Sequence, residues 1–122
     1  MVGNIIRRLI NIDLYTELQQ QVDLLQKSLE KLKETGRSYA SAEKEYKVLL
    51  RQEVLKMRDN GEAIGVITLT CYGIPSVAEA RFKRDVAESL YKANQEAIQT
   101  YKLKIRLIES QIQREYTSTR YE

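Results

Sequence analysis

From Ser76 to the end of the chain there is neither glycine nor proline. Within that stretch Ala87, Tyr91, Asn94, Ile98, Tyr101, Ile105, Ile108, Ile112 and Glu115 recur at alternating steps of four and three. That is the heptad spacing of a helix packing along a narrow seam. Leu90, Ala97, Leu103 and Leu107 widen the stripe on its flanks. The pattern predicts one long helix over 76–117, opened by Ser76 and Glu79 as a capping box. Its length would be on the order of 60 Å, at 1.5 Å per residue. A helix of that length has to pair with the elements before it or project from them.

Those earlier elements also read as helices. Leu18, Val22, Leu25, Leu29 and Leu32 are spaced four, three, four, three, and Leu14 extends the stripe by four. They predict a first helix over 13–35, capped by Asn11 or Asp13 and stopped by Gly36. Ile5, Leu9 and Ile12 keep helical spacing but are out of phase with that stripe. Either the helix changes face there, or a short separate element precedes it. After a turn at "GRSYAS", Tyr46, Leu49, Leu50, Val54 and Met57 mark a second helix over 39–60, stopped by Gly61. The connector, 62–75, is ambiguous. Val66, Ile67, Thr68 and Thr70 are β-branched and favour a strand, but a lone strand has nothing to pair with. We favour a short buried helix, ended by Gly73 and Pro75. The expected fold is therefore all-α, one domain over 1–122, built as a helical hairpin or a three-helix, coiled-coil-like arrangement.

Composition narrows the function classes. The 122 residues contain no histidine and one cysteine, Cys71. Imidazole bases, ordinary zinc sites and Cys-His nucleophiles are excluded by that count. "GEAIG" lacks the Lys and Ser/Thr of a phosphate loop. No enzyme activity, metal or cofactor is expected. No apolar run approaches the roughly 20 residues of a membrane span. "MVGNIIRRLINI" is divided by Arg7 and Arg8 and lacks the layout of a signal peptide. A lone cysteine fits a reducing compartment. These features point to the cytoplasm, without a membrane partner.

The net charge is +3, and no segment is strongly one-signed. "ARFKRD" packs Arg81, Lys83 and Arg84 around the only phenylalanine, Phe82. Each cation there has an acid four residues away: Glu79 for Lys83, Asp85 for Arg81, Glu88 for Arg84. Side chains at that spacing pair on a helix. The stretch reads as a neutral helix opening, with Phe82 packed against the connector and Arg84 dispensable. Lys102, Lys104 and Arg106 are the better candidate for an anion or nucleic-acid contact. The eight tyrosines suit core or interface packing. Asn94, mid-seam, would fix register by pairing with its equivalent in another copy. Leu18, Val22, Leu25, Leu29, Tyr91, Asn94, Ile98, Tyr101, Ile105, Ile108 and Ile112 are the expected interface of a homodimer or homotetramer.

The marks "RFKRDVAESLY" and "KLKIRLIESQIQREY", with "SAEKEYKVLLRQEVLKMRDNG" before them, carry a resemblance. Over about residues 41–116 the chain resembles a group of short proteins encoded by phages and prophages of Gram-positive bacteria. In that group, too, a hydrophobic stretch and a glycine precede the long helix. The resemblance implies a phage-related origin and action in the bacterial cytoplasm; it carries no functional residue with it. Two functions follow as expectations. The first is a non-enzymatic accessory protein that contacts a host or phage protein through helical faces, a host defence protein being one case. The second is an oligomeric nucleic-acid binder that uses residues 102–106.

Overall fold

The computed structural model describes the backbone of residues 2–120 and the side chains within 2–6, 8–9 and 12–118. It is all helix: α1 spans Val2–Asp59, α2 Ile64–Thr70, a single 3-10 turn Cys71–Gly73, and α3 Pro75–Arg120. The architecture is a helical hairpin, and no strand occurs among the described residues. By their contacts the residues divide into two compact units. One comprises Met1–Lys31 with Asn94–Glu122, the other Leu32–Ala93.

The two helices expected over 13–35 and 39–60 are one continuous helix, and the three-helix alternative disappears with that. Asn11, Asp13, Gly36 and the "GRSYAS" segment all lie inside α1, so none is a cap, a stop or a turn. Glycine inside a helix costs about 1 kcal/mol relative to alanine. Packing explains why the helix persists. A Cβ on Gly36 would lie 3.3 Å from Cε2 of Tyr91, so the glycine makes room for the tyrosine ring. Tyr39 meets the same ring with centroids 5.9 Å apart. Glycine here is a seat for α3 and not a punctuation mark.

The real stop is Gly61, whose φ is +79°. Gly61 N–H donates to Arg58 C=O at 3.0 Å and Glu62 N–H to Met57 C=O at 3.1 Å. Those two bonds are the Schellman pattern, and they satisfy carbonyls that the end of α1 would leave bare. The connector is helical despite its β-branched residues. Thr68 and Thr70 donate their hydroxyls back to the carbonyls of Ile64 and Val66, at 2.9 and 2.7 Å. Both hydroxyls are thereby satisfied within the helix itself.

α3 opens one residue earlier than expected. Ile74 is extended (ψ 126°), Pro75 takes the first helical position, and Ala78 N–H donates to Ile74 C=O at 2.8 Å. Proline is preorganised for that place because its missing N–H would have had no helical partner. Ser76 therefore sits inside the first turn, and the Ser76–Glu79 capping box does not form the helix start.

In the unit Leu32–Ala93, Gly36 faces Tyr91 and Glu43 faces Arg84. Seven residues forward on α1 correspond to seven backward on α3, which is antiparallel pairing in heptad register. Its buried side chains are Tyr46, Ile67, Cys71 and Val77, and Val77 is fully inaccessible. In the unit of residues 1–31 and 94–122 the buried side chains are Leu14, Asn94, Ile98 and Ile108. Leu18, Gln21, Leu25 and Ser28 line the α1 side, half-buried. The inward steps there are 14, 18, 21, 25 and 28. Val22 and Leu29, expected on the seam, are instead on its flank, 37% and 44% exposed. Gln21 and Ser28 occupy the inward positions, although they are polar. Gln21 Oε1 is buried without a hydrogen-bond partner among the described residues, whereas Asn94 Nδ2 donates to the Ser28 backbone carbonyl at 3.0 Å. A buried amide needs a partner, and a helix carbonyl has a second lone pair to offer.

Candidate interaction surfaces

The α3 seam lies at the positions read from the sequence. Asn94, Ile98 and Ile108 are buried, and Tyr91, Tyr101, Ile105 and Ile112 are half-buried. All this burial is achieved within a single chain. Tyr91 is covered by Gly36 and Tyr39, and Asn94 donates to the Ser28 carbonyl. Of the expected interface residues, Asn94, Ile98 and Ile108 are buried and Leu18, Leu25, Tyr91, Tyr101, Ile105 and Ile112 half-buried within the chain, whereas Val22 and Leu29 are exposed.

"ARFKRD" is rearranged relative to the expectation of local pairs. Arg84 turns inward, its side chain 19% exposed. Its Nε donates to Asp85 Oδ1 at 2.8 Å, and Nη1 lies 3.6 Å from Glu43 Oε2 on α1. Its guanidinium stands 4.7 Å from the centroid of the Tyr46 ring. Burial works against the charge, but the Asp85 hydrogen bond, with Asp85 and Glu43 as neighbouring negative charges, holds the Arg84 pKa above its ordinary value. Glu88, expected to pair with Arg84, instead accepts from Lys92 Nζ at 2.7 Å. Arg81 lies over Tyr72 in the 3-10 turn, 5.4 Å from the ring centroid. Phe82, expected to pack on the connector, points outward and is 63% exposed. Spacing along one helix did not reveal these partners, because Glu43, Tyr46 and Tyr72 all lie on other elements.

Among the described residues, exposed apolar side chains gather in several places. On α3, Phe82, Val86 and Leu90 fall on its outer side, at steps of four and four, and all are exposed. At the connector, Ile64 and Leu69 are 78% and 85% exposed, with Val66 and Tyr72 about half so. In the other unit, Val2, Ile5, Ile6, Leu9 and Ile12 are exposed on the first three turns of α1. This is the out-of-phase stripe of the sequence. α1 does not break there, and the described apolar residues of this row are exposed. From Leu9 to Leu14 the helix turns about 140°, at about 100° per residue, so the stripe faces away from Leu14.

Lys102, Lys104 and Arg106 are all exposed. Lys102 and Arg106 share one side of α3, whereas Lys104, two residues from each, lies about 160° away. The three do not form one patch. Among the described residues no three acids or cysteines are grouped so as to hold a metal ion. Nor is any helix long and apolar enough to cross a membrane. Surface grooves at Tyr39–Val48, Ile12–Asp23 and Ser41–Gln52 are lined by α1 alone, so no second element walls them. No family model, curated protein or solved structure matches the chain.

Proposed function

We propose that this chain is a non-enzymatic accessory protein that acts by contact between helical faces. It works as a homo-oligomer in the bacterial cytoplasm, with a host or phage protein as its partner. One observation carries the reading. Phe82, Val86 and Leu90 form an exposed apolar row on α3, while the heptad seam is already occupied by the chain's own α1. Apolar side chains aligned at helical spacing are the form in which one helix offers itself to another. An exposed phenylalanine is the kind of large anchor that dominates such contacts. The resemblance to phage-encoded proteins supports an infected cell as the setting, and makes a host defence protein one case of the partner.

The test uses the intact protein as bait in host lysate, beside Phe82→Asp and Leu90→Asp variants of unchanged helicity. A protein recovered by the wild type and lost with either variant supports the reading. Recovery that is indifferent to both variants, or no specific protein at all, overturns it. The competing function, nucleic-acid binding through Lys102, Lys104 and Arg106, makes a different prediction. It requires salt-sensitive binding to DNA or RNA that Lys102→Glu weakens. The placement of Lys104 away from its two neighbours gives that reading no single basic surface.

A further inference from the structure

The geometry points to residues 2–13 of α1 as the surface through which copies of this chain assemble, side by side and parallel. This inference rests on the oligomeric reading above and names the face that would serve it. The outward row on the first turns is Val2, Ile5, Leu9 and Ile12, at steps of three, four and three. All four are more than half exposed. Those steps are two heptads, with Val2 and Leu9 at one core position and Ile5 and Ile12 at the other. Among the described residues the seam toward α3 is first met at Leu14, which is buried on another side of the helix. The outward row is thus accessible to a second helix without disturbing the hairpin.

The flanking charges select the occupant and its direction. In this register Arg8 and Asp13 stand beside the core row on opposite flanks, five residues apart, and both are exposed. In a parallel pair of helices the residue on one flank meets the partner's residue five positions on, along the opposite flank. Arg8 of one copy then faces Asp13 of the next, and the pairing repeats around the ring. An antiparallel pair would bring like flanks together, with Asp13 near Asp13 and Arg8 near Arg8. The row is therefore complementary to itself in the parallel sense. In the second heptad Leu9 at the first core position with Ile12 at the second is the combination that favours three or four strands over two. Ile6, exposed beside the core row, broadens the apolar face in the same direction.

The experiment is sedimentation velocity on the full chain across a micromolar concentration series. It compares wild type, Leu9→Asp, Arg8→Glu, Asp13→Arg, and the double Arg8→Glu/Asp13→Arg. The wild type is expected as three or four copies and Leu9→Asp as one, with circular dichroism unchanged because Leu9 faces away from the hairpin seam. Each single charge reversal should weaken assembly by roughly tenfold, and the double reversal should restore it. A Leu9→Asp variant that keeps the wild-type mass overturns this face, while leaving oligomerisation through another. Failure of the double reversal to restore assembly overturns the parallel pairing. A monomeric wild type removes the assembly altogether, but leaves the partner contact at Phe82 to be judged by its own pull-down.

Discussion

Replacing Arg84 with alanine tests whether the hairpin is held by contacts between helices or by pairs along each one. Local pairing makes the residue dispensable, since one exposed ion pair contributes only about 0–1 kcal/mol. The structure gives a larger loss. The guanidinium covers the ring of Tyr46, a buried residue, at 4.7 Å, and such a contact contributes about 1 kcal/mol when partly desolvated. The bond to Asp85 and the approach to Glu43 add about 0.5 kcal/mol together, discounted because both acids remain partly exposed. The aliphatic stem, lying between α1 and α3, adds a similar amount. Glu43 is not stranded by the change, because Lys47 stays 3.4 Å away. The total is about 2 kcal/mol, measurable as a lower urea midpoint with an unchanged slope. Protein concentration must be held constant, since self-association, where it occurs, adds to apparent stability. Arg84→Lys should recover less than half of the loss, because an ammonium neither stacks flat on a ring nor spans two acids. If Arg84→Ala unfolds within about 0.5 kcal/mol of wild type, the cross-helix account of this residue is wrong.

Other perturbations test other parts of the hairpin. Gly61→Ala should cost about 1–2 kcal/mol by denaturation, because its φ of +79° suits glycine alone; no measurable loss would mean that the α1 stop relaxes freely. Asn94→Ala should cost about 1–2 kcal/mol, and Asn94→Leu should regain most of it, because the Ser28 carbonyl keeps its helical partner; equal losses for both would show that the amide bond itself matters. Folding raises the Lys92 pKa through its hydrogen bond to Glu88, so the lysine stabilises the fold at neutral pH. That support is lost as the pH rises past 10.5, and Lys92→Met should remove this part of the alkaline loss in a pH series of melts.

The long third helix and its inward row were legible because periodicity is a property of one chain segment. Ile98, Ile105 and Ile108 face inward at the spacing that predicted them. The connector's helix and the stop at Gly61 were legible for a similar reason: β-branched residues without a strand partner, and glycine in a left-handed turn, are local matters. What misled was punctuation. Gly36 carries the same residue type as Gly61, yet one lies within α1 and the other just beyond its end. The difference is the Tyr91 ring, which is fifty-five residues away along the chain. The row Leu18, Val22, Leu25, Leu29 missed by one position at each second step, because apolar residues were assumed to face inward. Gln21 and Ser28 stand inward instead, and Asn94 bonds to the backbone carbonyl that Ser28 presents there.

The candidate surfaces divide in the same way. The out-of-phase row at Ile5, Leu9 and Ile12 was visible in the sequence; the row Phe82, Val86 and Leu90 was not, because Phe82 was expected against the connector and Leu90 beside the seam. Which rows would be covered and which left open was not visible. By itself the sequence determined that this protein is helical, where its last helix runs, and which chemistry it lacks, because propensity, periodicity and composition act locally. Only the tertiary structure decided that α1 is one helix, that Arg84 faces inward and Phe82 outward, and which apolar faces remain for another molecule. Those outcomes depend on pairing two helices in one register, and a register is set by contacts that neither helix contains alone.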